Sequence, residues 1–516
     1  MTAATFATPQ VPGRLIPRQF ATIATIAVAV TLVATGCTTA VPPGVTDPGN
    51  SSTLLPLTAT RGTGAGLYDS AGRQVTLRGA NFNQLGDYFQ TDPRLPTVAT
   101  LDESDWADAQ AYGFSVVRLV TSWSSWEPQR GQFSQTYADR VKAAVAAANA
   151  HGIYALVDLH QDAWGKYIAS PVDHVCPTGW TLAKGWDGAP DWATFTDGQE
   201  TCTPDGKREN SPAVQAAWNN FYGNRDGIRD EYASLWHFIA TQFAGNPGVA
   251  GFDLLNEPGV GSSFDGAAAG LAVAYRQAIP QIRLAEREVA PNAPTHPIFF
   301  EPVFGGFPLV PVDFSDDPNL VLAPHTYAES FDDISGFLDL SLNGYQLAGS
   351  AYRTPVFLGE YGAYRDAGFN QAWTSRVHRL VDGLRYAGDT WWQWEQSCGD
   401  PHNTAYPMTD ADVLQRIPSC ADSRSIQACP TRPAPRAVPG RLTSLDAVPC
   451  GSGPMTVGGT TPAASTADLW FPSTSSSPPT VTGTGIDHVT TDAVPGGWRV
   501  FVGVAAGDYQ ISLTSA

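Results

Sequence analysis

A (β/α)8 barrel followed by a small antiparallel β-sandwich is the architecture this chain predicts, and three observations lead there. Between residues 61 and 400, eight short β-type runs alternate with helical patterns, as a closed parallel barrel requires. Polar and ionisable residues gather at the carboxyl ends of those runs, where barrel enzymes carry their active sites. Beyond residue 430 the composition turns to Gly, Pro, Ser and Thr with short β-branched runs, the pattern of an antiparallel sandwich.

From the amino terminus, Arg14 and Arg18 precede an apolar run from Phe20 to Val33 that ends in Ala34-Thr-Gly-Cys37. The run is short and ends in small residues, so residues 1–37 predict a cleaved export signal rather than a membrane-spanning helix. No other stretch is long and apolar enough to span a bilayer. The end of the run resembles a bacterial lipoprotein signal, with Ala34 where Leu is more usual, and this implies lipidation of Cys37. The protein is then expected at a bacterial cell surface or secreted, held to a membrane by an amino-terminal anchor. Residues 38–60, rich in Pro, Thr, Ser and Gly, read as a flexible tether.

The barrel is expected over residues 61–430. Its strand candidates are Val75–Gly79, Ser115–Val120, Ile153–Leu159, Ala250–Leu255, Ile298–Phe300, Leu320–Leu322, Pro355–Gly359 and Thr390–Trp394. Helical patterns fall at Glu103–Tyr112, Tyr137–Ala150, Ile228–Phe243, Ala272–Val289 and Gln371–Ala387. A doubly wound sheet is the competitor, with Gly62-Thr-Gly-Ala-Gly66 as its phosphate loop. That run precedes the first strand instead of following it, which removes the competitor.

Two strand ends carry the chemistry. Asn256-Glu257-Pro258 closes the run 249–255, and Glu360 closes 355–359. Paired carboxylates on separate buried strands are what a retaining glycosidase needs, one as acid/base and one as nucleophile. A nucleophile must stay ionised, and Arg118 and Tyr327 are candidates to hold it so. The acid must be protonated before it acts, which predicts a less polar setting for Glu257. Further polar residues at strand ends are His160, Asp162, His325, Trp394 and Glu395. The histidines are expected to orient carboxylates or substrate, Asp162 and Glu395 to bind sugar hydroxyls, and Asn256 to reach the sugar 2-hydroxyl. This two-carboxylate chemistry needs no metal or cofactor, and none is expected.

The insertion over 161–226 is far longer than a usual loop and carries Trp164, Trp180, Trp186, Trp192 and Trp218. Such loops serve as lids or binding surfaces. The plainer expectation for each tryptophan is a small core of the insertion's own. The sandwich, 431–516, includes strand candidates at 498–504 and 509–513 and is expected to pack against the barrel rather than bind carbohydrate.

Seven cysteines become six without Cys37: Cys176, Cys202, Cys398, Cys420, Cys429 and Cys450. In an exported protein this predicts up to three disulfides. Cys176 and Cys202 pair naturally within the insertion, and the pairing of the other four stays open. No CxxC or Cys/His spacing supports a zinc site. The formal charge of −19 excludes nucleic acid as a partner, since its phosphates would be repelled. A monomer is expected.

Over residues 75–395 the chain resembles the retaining glycoside hydrolases of family 5. The likeness is carried by Arg118, His160, Asn256-Glu257-Pro258, His325-Thr-Tyr327, Glu360 and Trp394. It implies that Glu257 is the acid/base and Glu360 the nucleophile. Within the family the likeness is to endoglycoceramidases, through Gly79-Ala-Asn-Phe-Asn83, Asp158-Leu-His-Gln-Asp162, Gly251–Pro258, Leu358-Gly-Glu-Tyr-Gly362, Trp391-Trp-Gln-Trp-Glu395 and the added sandwich. It implies cleavage between a glycan and ceramide. The alternatives are a polysaccharide-acting β-glycanase of the same mechanism and an inactive carbohydrate-binding lipoprotein, and an oligosaccharide is then the partner.

Overall fold

The computed structural model describes residues 54–516 apart from 91–94, 305–309, 331–334, 364–366, 398 and 403–428. The export signal, Cys37, most of the tether, Cys398 and Cys420 lie outside the described residues.

The chain opens with three short antiparallel strands, β1 (Leu57–Ala59), β2 (Leu67–Asp69) and β3 (Arg73–Val75). The barrel strands follow: β4 (Leu77–Phe82), β5 (Val116–Ser122), β6 (Tyr154–His160), β7 (Val249–Asp253), β8 (Ile298–Phe300), β9 (Leu320–Leu322) with its continuation β10 (His325–Thr326), β11 (Phe357–Tyr361) and β12 (Gly388–Trp391). All pair in parallel, in the order β10-β11-β12-β4-β5-β6-β7-β8-β9. A parallel bridge between Leu322 and Val356 closes the ring, so the eight predicted strands form one barrel. Gly79 lets β4 lie against β5, because a Cβ there would stand 1.7 Å from the Val116 carbonyl oxygen.

The helices are α1 (Glu103–Ala111), α2 (Trp123–Trp126), α3 (Gln135–Ala150), α4 (Pro212–Tyr222), α5 (Ile228–Phe243), α6 (Phe264–Val289), α7 (Phe337–Tyr352) and α8 (Ala367–Leu384). Local signals start several of them: Asp102 and Asp105 form a capping box on α1, and Ser134 and Ser263 cap α3 and α6, each satisfying amides left open at a helix start. The sequence did not reveal α2, α4 or α7, and α6 begins eight residues earlier than its periodicity suggested. α7 starts at Gly336 without a side-chain cap, and α4 lies inside the insertion, so the usual start signals are weak or masked.

The carboxyl-terminal strands β13 (Ala434–Pro439) to β20 (Gly507–Thr514) build two sheets. One is four-stranded. The other has seven strands and takes in β1, β2 and β3 from the amino terminus. This corrects the tether and barrel boundaries, since residues 57–75 belong to the sandwich sheet. The physical reason is pairing: β3 runs antiparallel to β13 through Val75↔Ala437 and Arg73↔Pro439, and Leu57 is 2 % exposed among barrel-floor residues. Arg436 then ties β13 to the barrel, donating to the carbonyls of Phe114 (2.9 Å) and Gly152 (2.7 Å). Disulfides join Cys176 to Cys202 and Cys429 to Cys450.

Candidate active site

Arg118 on β5 is wholly buried, which a cation tolerates only with several partners. Its Nε donates to Asp253 (2.9 Å), its Nη1 to Asn81 (3.0 Å) and Glu360 (2.8 Å), and its Nη2 to Asn256 (3.0 Å) and Glu301 (3.2 Å). Asp158 adds an ion pair at 2.9 Å. These partners come from the carboxyl ends of β4, β6, β7, β8 and β11. One guanidinium therefore fixes the mutual placement of most of the barrel mouth.

Glu360 is held at both oxygens. Arg118 takes Oε1, and the Tyr327 hydroxyl donates to Oε2 at 2.7 Å. Glu257 sits opposite with φ 37°, a left-handed backbone that costs about 1–3 kcal/mol for a side chain of this size. Three bonds hold it there. Its N–H donates to Glu301 (2.9 Å), its carbonyl accepts from Gln161 Nε2 (2.9 Å), and His325 Nδ1 donates to its Oε1 (3.0 Å). His325 also lies 3.6 Å from Glu360. Register explains the meeting, because β10 pairs His325 directly with Glu360. A carboxylate oxygen of Glu257 and one of Glu360 lie within 4.8 Å of each other and of His325.

That spacing decides between two mechanisms. Carboxyl groups about 5–5.5 Å apart suit attack by one of them on the sugar, whereas about 6.5–9.5 Å leaves room for a water instead.

The surroundings of Glu257 differ from the apolar setting the sequence predicted. His325 touches it, and Arg208 stands 4.0 Å from its Oε2. Burial works against a charge on His325, but Glu301, Glu360 and Glu257 outweigh it and hold its imidazole well above the ordinary value. Burial pushes the Glu301 carboxyl up to about 8 and Asp158 up to about 7, with His325 and Arg118 respectively opposing. His160 is pulled down to about 4 by burial. It is therefore neutral, donates from Nδ1 to Asp158 (2.7 Å) and stacks on Trp392 with centroids 5.2 Å apart.

Other predicted residues fall differently. Asn256 is buried with both ends of its amide engaged, accepting from Arg118 and donating to the Gln161 carbonyl (3.0 Å). Asp162 is engaged at both oxygens, Arg208 donating to one and His402 to the other. Burial raises its carboxyl, but Arg208, His402 and His160 overcome this and hold it low.

Trp394 is not at the mouth. It stacks on Phe82 (4.9 Å) and donates to Asp105 of α1 (3.0 Å). β12 ends at Trp391, so strand alternation no longer orders the residues after it, and Trp392 faces the site instead. Glu395 is 2 % exposed, as deeply buried as Glu360 at 3 %. The tryptophans of the insertion divide similarly. Trp164 and Trp218 are core, 4.9 Å apart, while Trp186 carries the Arg208 guanidinium over its face at 4.2 Å.

Arg208, Trp392 and His402 were not found from sequence. Arg208 lies in an aperiodic stretch of the insertion and His402 in the loop after the last strand. Only the length of the insertion pointed there.

Two carboxylates flanking one imidazole, Glu257 bonded to it and Glu360 3.6 Å away, on the carboxyl face of a (β/α)8 barrel, define the site of a glycoside hydrolase. The chain belongs to glycosyl hydrolase family 5, whose cellulase family model matches residues 68–397. Endoglycoceramidase I of Rhodococcus hoagii (strain 103S) is 31 % identical over 286 residues, 53 % of this chain and 53 % of that protein. The chain thus spans about half the length of this relative. A crystal structure of an endogalactoceramidase superposes with a TM-score of 0.78 at 34 % identity, covering 90 % of this chain and all of that one. Endo-glycoceramidase II from Rhodococcus sp. shares the fold at TM-score 0.67 and 23 % identity, over 87 % of this chain and 99 % of that one.

Proposed function

We propose that this protein is a retaining endo-β-glycosidase that cleaves between the glycan and the ceramide of glycosphingolipids. The observation that carries the mechanism is the separation of Glu257 and Glu360, within 4.8 Å. Glu360, oriented by Arg118 and Tyr327, attacks the anomeric carbon as the C–O bond to the lipid breaks, while Glu257 gives its proton to the departing oxygen. Glu257 then takes a proton from water, which displaces Glu360 from the sugar and releases the glycan.

A lipid aglycone is supported by the resemblance to endoglycoceramidases. It is supported too by exposed apolar side chains on the carboxyl face: Tyr167, Val172, Val175 and Leu182 in the insertion and Phe264 at the start of α6. Residues 14–37 suit the same substrate, because acylation at Cys37 keeps the enzyme at a membrane. Replacing Cys37 with Ser is expected to move the protein from the detergent phase to the aqueous phase.

The test is incubation with detergent-dispersed gluco- and galactosylceramide-based glycolipids beside soluble β-glucans and mannans. Intact oligosaccharide and free ceramide are expected, and Glu360→Gln and Glu257→Gln are expected to stop their release. Cleavage of the soluble polymers alone would make this a β-glycanase, and full activity in either variant would overturn the mechanism.

A further inference from the structure

A second polar cleft, of about 250 Å³, lies at the opposite end of the barrel from the glutamates, where the start of β11 and the end of α7 meet the sandwich. Arg353, Arg385 and Arg441 line it, and no carboxylate does. That is unusual in a chain with 49 acidic residues and 30 Lys and Arg. Other arginines near the core are paired with carboxylates, Arg78 with Asp382, Arg283 with Asp317 and Arg432 with Asp389. Among the described residues none of the three cleft arginines makes an ion pair. Arg385 reaches the Thr443 carbonyl at 3.4 Å.

Two further features belong to the cleft. Thr354 lines it and is 4 % exposed. The glycine-rich run 62–66, which has no part in the glycosidase site, forms one wall. Gly62 has φ 109° and would place a Cβ 3.2 Å from Arg353 Nη2, and Gly64 has φ 81° with its Cβ position 3.7 Å from Arg441 Cδ. Glycine therefore keeps the guanidinium side of the cleft open. The run is pinned by Gly62 N–H donating to the Arg353 carbonyl (2.8 Å) and by Arg61 donating to Tyr352 O (3.1 Å). The carboxyl end of α7 brings a partial charge of about −0.5. Arg61 covers that end, and three full positive charges exceed it.

We propose that this cleft binds an oxyanion of the phosphate class, gripped by Arg353, Arg385 and Arg441. Guanidinium forks bind phosphate through paired charge-assisted bonds. Such a group comes either from a free phosphate compound or from the headgroup of an anionic phospholipid. The site is independent of the glutamates.

The test uses the full chain carrying Cys37→Ser, which cannot be acylated, at low salt where screening is weak. Titration calorimetry with inorganic phosphate is expected to show one saturable site. The variant Arg353→Gln/Arg385→Gln/Arg441→Gln is expected to weaken it by at least about tenfold. A control removing three exposed charges elsewhere, Arg140→Gln/Lys142→Gln/Arg287→Gln, is expected to leave it unchanged. Flotation with phosphatidylcholine vesicles, with and without phosphatidylglycerol, assigns the source. Capture by the anionic vesicles, reversed by phosphate, indicates the headgroup; phosphate binding without capture indicates a free compound. Equal weakening in the control, or no saturable binding to either probe, would overturn the proposal.

Discussion

Glu360 and Tyr361 are neighbours on β11, yet alternation along the strand sends them into two very different buried arginine networks. Glu360 joins the cluster at the barrel mouth, where Arg118 meets Asp158, Asp253, Glu301 and Glu360. Tyr361 turns outward to a cluster beneath the sandwich, donating to Asp389 (2.9 Å). There Arg432 pairs with Asp382 (2.6 Å) and Asp389 (3.1 Å), and Arg78 pairs with Asp382 (2.6 Å). The outer cluster has two arginines for two aspartates. The inner one has a single arginine for four carboxylates, and only protons can make up the deficit.

Charge balance, more than burial, thus separates a structural network from a chemical one. Both sets are buried. In the inner set carboxyls are pushed up to about 7 and 8, beside an imidazole that retains its proton. Groups that exchange protons near neutrality are what acid/base chemistry uses.

Exchanging the arginines tests this contrast most severely. Arg118→Gln is expected to cost about 3–5 kcal/mol by stranding buried carboxylates and to abolish measurable turnover, because Glu360 loses its orienting partner. Denaturant unfolding and single-turnover assays read the two losses. Arg432→Gln is expected to cost a similar amount, about 3–5 kcal/mol, while kcat of the folded fraction stays at the wild-type value. A fall in kcat there would mean that the outer network also serves the chemistry.

A smaller effect is expected from Arg208→Gln. Removing a cation 4.0 Å from Glu257 and bonded to Asp162 is expected to lower kcat/KM, but by less than the loss of Arg118, in steady-state assays. An unchanged kcat/KM would show that Arg208 has no part in the chemistry.

The smallest effect lies in stability against pH. Between its unfolded value near 4.5 and its folded value of about 8, Glu301 keeps a proton in the native protein that the unfolded chain has released. Stability therefore falls as pH rises through that window, by at most about 1.4 kcal/mol per pH unit for one proton. His160 acts in the opposite sense between about 4 and 6.5, where the unfolded chain binds a proton and the native one does not. Between pH 6.5 and 8 His160 no longer opposes, while His325 and His402, both raised in the folded chain, add declines of the same sign. There the wild-type Tm should decline with pH, and Glu301→Gln should flatten the decline. An equal slope in both proteins would remove Glu301 from the charge deficit.

Much of this molecule was legible in one dimension. Alternation of apolar runs gave the eight barrel strands, because a strand buried on both faces needs an apolar run and a barrel needs a helix between each pair. Glu257 and Glu360 stood out since a carboxylate at the end of such a run has few structural uses. The disulfide Cys176–Cys202 followed from proximity in sequence.

What tertiary structure decided has a common cause: each feature depends on contacts between segments far apart in the chain. Residues 57–59 look like tether, and only the distant strand β13 and its neighbours give 57–75 a sheet to join. Trp392 and Trp394 are indistinguishable in sequence, and packing against α1 assigns one to the core while stacking on His160 assigns the other to the mouth. Arg208 and His402 arrive at Asp162 from 46 and 240 residues away, carrying no local periodicity. The sequence by itself determined which backbone elements exist and which carboxylates end them, because those follow from local hydrophobic pattern. The electrostatic state of those carboxylates was decided only by folding, because it is set by the charges that the fold brings together and by the water that it removes.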